Sequence, residues 1–192
     1  MHRVLVAFFM LARVSFAEST PQFALRDTDG AVHHADEWAK AKAVVLFFST
    51  TDCPLSNGYI PEMNRIRVAY ANRGVAFYAV QTDTTIAESE VRQHAKDFAI
   101  SFPVLIDPGL TLVRRAGATA TPEVAVLSST GQVLYLGRID NRIEDFNQRR
   151  TVVTERNLQD ALDEVLAAKP VTRSRTAAVG CSINFVKEET KR

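Results

Sequence analysis

Cysteine is scarce in this chain: two residues in 192, Cys53 and Cys181. That excludes a scaffold held by several disulfides. An excess of one charge is missing as well. Lys and Arg number 23 against 22 Asp and Glu, a formal +1 at pH 7, so electrostatics point neither to nucleic acid nor to an anionic membrane surface. No internal repeat is visible, and the apolar run near the start is too short to cross a bilayer. What remains is a globular composition, 46% hydrophobic, suited to one domain with extensions.

The first 17 residues, "MHRVLVAFFMLARVSFA", have the form of a secretory signal. His2 and Arg3 give a basic start, Val4 to Ala12 an apolar run, and Ser15 and Ala17 the small residues of a cleavage site. The alternative is an N-terminal strand or core helix. Export predicts the bacterial periplasm or another extracytoplasmic compartment, with no membrane association once the signal is removed. Losing Arg3 and Arg13 takes the charge from +1 to −1, and disulfides persist in such a compartment. A domain over 18–168 and a tail over 169–192 would follow.

Within the domain, "FALRDTDGAVHHADEW" turns on Asp29-Gly30 and predicts a hairpin. "AVVLFFST" and "GVAFYAVQTD" are continuous apolar runs, the signature of strands covered on both faces. Between them Ile60, Met63, Ile66 and Val68-Ala69 define one side of a helix. Thr85 to Glu88 reads as a capping box before a helix carrying Val91, Ala95, Phe98 and Ala99. "FPVLIDP" is short and extended, and residues 123–140 predict an antiparallel edge hairpin. Leu158, Ala161, Leu162, Val165 and Leu166 mark a last helix, closed by Lys169-Pro170. Strands alternating with helices and ending in a hairpin predict a three-layer α/β fold, a central mixed β-sheet flanked by helices.

The chemistry concentrates at "FFSTTDCPLSNGYIPEM". Cys53 stands where a buried strand gives way to a helix, so free backbone N–H groups and the helix dipole favour its thiolate. Pro54 suits a first helical turn, and Pro61 predicts a kink. Asp52 opposes the thiolate unless it points into water. Ser56 stands where a second cysteine of the turn would be, and its hydroxyl is a candidate donor to the sulfur. A structural buried cysteine is the competing reading of Cys53.

"FFSTTDCPLS" after a buried strand, Pro61 in the helix, and "ATATPEVAVLSSTGQVLYLGRID" together resemble the thioredoxin-like superfamily. Within it they are similar to the redoxin and peroxiredoxin branch, the alkyl hydroperoxide reductase and thiol-specific antioxidant type. The resemblance implies a thioredoxin-like fold and a cis Thr121-Pro122 peptide facing Cys53, whose backbone pairs with an extended substrate. It implies a thiol-dependent oxidoreductase in which Cys53 attacks a peroxide or a protein disulfide. A thiol reductant such as a thioredoxin-like protein would be its partner, with no cofactor. Pro54, Ser56, Thr121 and Pro122 would shape the substrate site, and Thr50 occupies the hydroxyl position three residues before a peroxiredoxin cysteine. Leu46 departs from the proline expected there, and Cys53-Pro54-Leu55-Ser56 from Cys-x-x-Cys.

An arginine near the sulfur would help such a site; Arg138 and Arg142 are the candidates, against a reading as solvated surface residues. The tail thiol Cys181, beside a flexible Gly180, lies within reach, since Pro170 to Cys181 spans up to about 36–40 Å extended. A mobile tail could let Cys181 resolve an oxidised Cys53, within or between chains; a permanent Cys53–Cys181 bond and an idle tail residue remain open. Copper on His33 or His34 with Cys53 is a remote alternative. His94 reads as a core-edge histidine, and no metal site is expected. The competing function is non-catalytic, a module that binds extended peptides or delivers metal.

Overall fold

The computed structural model describes residues 22–185, so the leader read from residues 1–17 lies outside it. β1 (Ala24–Arg26) and β2 (Val32–His34) form the expected antiparallel hairpin. Gly30 takes φ +92 at its turn, a conformation that only glycine adopts without strain. The Asp27 carboxylate accepts from the N–H groups of Asp29 and Ala31 and fixes the turn. A short 3-10 segment, Ala35–Lys40, then buries Trp38.

β3 (Ala43–Ser49) is buried at every position. It leads into α1 (Pro54–Tyr70), β4 (Val75–Gln81), α2 (Glu88–Asp97), β5 (Val104–Ile106) and α3 (Thr111–Ala116). There follow β6 (Ala120–Thr121), β7 (Glu123–Leu127), β8 (Val133–Gly137), β9 (Ile143–Asp145) and β10 (Gln148–Arg149). α4 (Asn157–Leu166) and β11 (Cys181–Ser182) complete the described chain.

The main sheet has the order β5-β4-β3-β7-β8. β3, β4 and β5 are parallel, whereas β7 runs antiparallel to β3 and β8 antiparallel to β7. Side chains alternate across a strand, and β3 uses both faces. Val45 and Phe47 pack with Ile60, Met63 and Ile66 of α1 and with Leu158 and Leu162 of α4. Val44, Leu46 and Phe48 pack with Trp38 and with Leu112 and Val113 of α3. Each such side chain, fully buried, contributes about 1.5–3 kcal/mol. The three-layer mixed fold is therefore the one expected.

Several local expectations fail. Val68 is 66% exposed, because α1 turns that position away from the sheet. The Thr85 capping box does not form. Thr85 gives its N–H and hydroxyl to the Asp83 carboxylate, and α2 starts three residues later with Ala87 as N-cap. That helix ends at Asp97; Ala99 has a left-handed φ of 49. α3 is a helix where none was expected. Ile143–Asp145 and Gln148–Arg149, for which no element was expected, pair as the small β9–β10 hairpin. Pro61 does lie inside α1 as expected, on its exposed side.

Candidate active site

β3 ends at Ser49, and the chain crosses Thr50, Thr51 and Asp52 before α1 opens. Cys53 is the N-cap of α1, with extended backbone (φ −86, ψ 107) and Pro54 in the first turn. The turn is closed by a hydrogen bond from the Cys53 N–H to the Thr50 carbonyl. Asn57 braces it, donating from Nδ2 to the Thr51 carbonyl at 2.8 Å. His94 Nε2 lies 2.9 Å from Asn57 Oδ1. Burial pushes the His94 pKa down, against the pull of Asp97 and Asp52. A neutral ring carrying its proton on Nε2 completes that bond.

The Thr121-Pro122 peptide is cis and lies against the sulfur. Cys53 Sγ donates to the Thr121 carbonyl at 3.2 Å. On the other side of Thr121, β11 pairs antiparallel with β6, Cys181 opposite Thr121 and Ser182 opposite Ala120. The two sulfurs, both free thiols, are 2.7 Å apart, within closing range of a disulfide bond of about 2.05 Å. Cys53 is 1% exposed, with Cys181 forming part of its cover; Cys181 itself is partly exposed.

Burial alone would push the Cys53 thiol up. Hydrogen bonds from the Cys181 thiol, from the Ser56 backbone N–H and from the Thr121 side chain outweigh that and hold it below the ordinary thiol range. Cys181 moves the other way, to about 11, through its burial and through its role as donor to Cys53. The arrangement favours ionisation of Cys53 over Cys181.

The tail reaches this position along a fixed path. The Leu136 N–H donates to the Ser174 carbonyl and the Thr176 N–H to the Leu136 carbonyl. The Thr176 hydroxyl bonds Tyr135 Oη at 2.6 Å. Past β11, the Ile183 N–H donates to the Thr119 carbonyl, and Ile183 is buried beside the second core cluster. The expected mobile tail is thus a pinned strand. Gly180 serves it through proximity rather than through flexibility: a Cβ there would lie 2.1 Å from the Thr121 carbonyl oxygen.

Cys53, Pro54, Ser56, Thr121, Pro122 and Cys181 all come together. Two expected hydroxyl contacts do not. Ser56 approaches the sulfur through its N–H while its Oγ has no partner, and the buried Thr50 Oγ1 has none either. Asp52 is exposed and accepts from Thr51, so it points into water.

Arg138 and Arg142 fit neither reading offered for them. Arg138 binds Asn157 and Glu155, whereas Arg142 binds the buried Asp140, which also accepts from Tyr59 at 2.7 Å. His33 is held between Asp27 and Glu37, partners that account for both its nitrogens away from Cys53. Among the described residues no group of three His, Cys, Asp or Glu is arranged to hold a metal. Sequence reasoning missed Asn57 as the brace and Gly180 as the seat of the tail. The signal for Asn57 was slight, a polar residue one turn into an apolar helix.

The thiol-disulfide oxidoreductase ResA of Halalkalibacterium halodurans is 26% identical over 132 residues, 67% of this chain and 73% of its own. ResA of Geobacillus thermodenitrificans is 27% identical over 120 residues, 62% of this chain and 67% of its own. Among solved structures, a hypothetical protein from Sinorhizobium meliloti superposes with TM-score 0.76 at 23% identity, covering 88% of this chain and 93% of that one. A putative thiol:disulfide interchange protein DsbE from Chlorobium tepidum superposes with TM-score 0.57 at 22% identity, covering 78% and 94%. These two establish the thioredoxin-like fold. The family model described as Redoxin matches residues 17–153, and with that span of its length matched, the chain belongs to the Redoxin family.

Proposed function

We propose that this chain is a thiol-disulfide oxidoreductase in which Cys53 is the nucleophile and Cys181 the second redox thiol. One observation carries the reading: the 2.7 Å approach of the two sulfurs, one at a helix opening, the other on a strand paired with the cis Thr-Pro segment. The name of the ResA relatives supports it.

The Cys53 thiolate attacks one sulfur of a substrate disulfide, and the other substrate sulfur leaves as thiolate. Cys181 then loses its proton and attacks the Cys53 sulfur, expelling the substrate's remaining thiolate and closing Cys53–Cys181. The charge on Cys53 that helped hold the Cys181 proton is gone at that stage. Two electrons have passed to the substrate, and an external dithiol, such as a thioredoxin-like protein, restores both thiols. The Ser56 N–H and the helix opening hold the sulfur anion, Pro54 starts the helix, and Thr121 and Pro122 frame the substrate edge. The buried Thr50 hydroxyl, unpartnered at rest, is the further candidate donor to the anion.

A hydroperoxide is the second substrate class for the same thiolate. The sulfur takes the outer oxygen, an alcohol or water leaves, and the sulfenic acid condenses with Cys181 to the same disulfide and water. The leader-like residues 1–17 support an extracytoplasmic site of action.

The test is insulin reduction and, separately, hydroperoxide consumption, with the parent, Cys53→Ser and Cys181→Ser proteins, each recycled by an external dithiol. Loss of turnover in both variants, and a Cys53–Cys181 peptide in the oxidised parent, are expected. A Cys53→Ser protein as active as the parent would refute the proposal.

A further inference from the structure

β6 is an edge whose described strand partner is this chain's own tail. The seat is tightly shaped. At position 180 a Cβ would lie 2.1 Å from the Thr121 oxygen, 2.6 Å from its carbon and 3.1 Å from the Pro122 nitrogen. All three are backbone atoms of a buried segment, so none moves aside cheaply. One residue on, the Cys181 sulfur meets Cys53. Two residues further, the buried Ile183 packs into the second core cluster, while Ser182 between them is exposed. The pairing reads a strand as glycine, cysteine, any residue, apolar residue.

We propose that this edge is a binding site for an extended partner polypeptide carrying Gly-Cys, and that tail and partner take turns on it. The inference rests on the thiol-exchange reading above and names its substrate class. A partner strand in the same register places its own cysteine sulfur against Cys53. A residue other than glycine before that cysteine collides with Thr121. Once the Cys53 thiolate has attacked, the partner's other sulfur has left with the electron pair and the new bond joins Cys53 to the partner cysteine. The tail then returns to β6. Cys181, deprotonated, attacks the Cys53 sulfur; that bond forms as the Cys53–partner bond breaks and the partner's thiolate is released. Its strand is displaced in the same movement, so electron transfer and product release are one event.

The full chain tests this as a Cys181→Ser protein, which keeps the tail seated, and as Cys181→Ser with Gly180→Val, which unseats it. Gly180→Ala is the second variant should the valine reduce folding as judged by circular dichroism. Each reacts with Val-Gly-Cys-Ser-Ile and Val-Ala-Cys-Ser-Ile, both carried as mixed disulfides with 5-thio-2-nitrobenzoate, the released chromophore being followed. The glycine peptide is expected to react with Cys53 roughly tenfold faster than the alanine peptide, and unseating the tail to raise its rate by about tenfold or more. Equal rates for the two peptides, or no gain on unseating the tail, overturn the inference. A Cys53 that reacts with neither peptide nor with the free aromatic disulfide refutes the thiol-exchange reading instead.

Discussion

Replacing Gly180 by alanine isolates the seating of the tail from the chemistry of both sulfurs. The added Cβ meets the Thr121 carbonyl oxygen at 2.1 Å, more than 1 Å inside an ordinary contact, so β11 must lift. Lifting breaks its backbone bonds to β6 and the Ile183 bond to Thr119, each worth about 0.5–1.5 kcal/mol net. It also withdraws Ile183 from the core, at roughly 1.5–3 kcal/mol. A loss of about 3–4 kcal/mol of seating is a factor of roughly 10² to 10³ in the fraction of tail in place. Cys181 then approaches Cys53 only at the millimolar effective concentration typical of a flexible tether. The assay oxidises the reduced protein with a stoichiometric diazene oxidant, quenches with acid and an alkylating agent, and counts free thiols by intact mass. Disulfide closure is expected to slow by two to three orders of magnitude, and the lost seating energy to lower the melting temperature of the reduced protein by several degrees. Closure within a factor of about three of the parent would show that the strand pairing does not position Cys181, and the reasoning fails.

Asp140→Ala leaves Tyr59 and Arg142 without their buried acceptor; a loss of about 2–4 kcal/mol in urea unfolding is expected, and a loss below 1 kcal/mol would contradict the packing. Asn57→Ala removes the brace on the Thr51 carbonyl and the partner of His94. Alkylation of Cys53 should slow several-fold while unfolding shifts by only about 1 kcal/mol, and unchanged alkylation would deny Asn57 a positioning role. The His33 cluster predicts a pH window. Burial pulls the His33 pKa down, but Asp27 and Glu37 raise it above the ordinary imidazole value, so its contribution is full below about pH 6.5 and fades as pH rises through the folded pKa. For Asp27 and Glu37, burial is outweighed by their bonds to His33, which lower both, so theirs is present above about pH 4.5 and fades as pH falls. The stability gap between the parent and Glu37→Gln should be widest between about pH 5 and 6.5; a gap that widens at pH 8 is the wrong sign.

Much of this was legible because it was local or strongly patterned. The continuous apolar run from Ala43 to Phe48 suited a strand covered on both faces, as β3 proves to be, and a proline directly after Cys53 placed that sulfur at a helix opening. The cis Thr121-Pro122 peptide was reachable only through family resemblance, since nothing in a Thr-Pro pair declares its isomer. The tail was reachable in distance but not in conformation. Its path depends on β8 and β6, segments 40 to 60 residues away in sequence, and no periodicity records that. Thr85 to Glu88 misled because Asp83 captures the hydroxyl that the capping box requires. Arg138 and Arg142 misled because their partners, Glu155 and Asp140, are charges whose burial and reach only the fold sets.

With Ser56 in place of a second cysteine, the proposed redox pair sits at two positions 128 apart rather than within four adjacent residues. A Cys-x-x-Cys bond closes a loop too small to restrain the unfolded chain much, about 2 kcal/mol by loop entropy. A Cys53–Cys181 bond would tie most of the domain into one ring, worth about 5 kcal/mol on the same scale. Oxidation would therefore act as a structural cross-link as well as a store of two electrons, and heat resistance would report how much of the protein is waiting to be reduced.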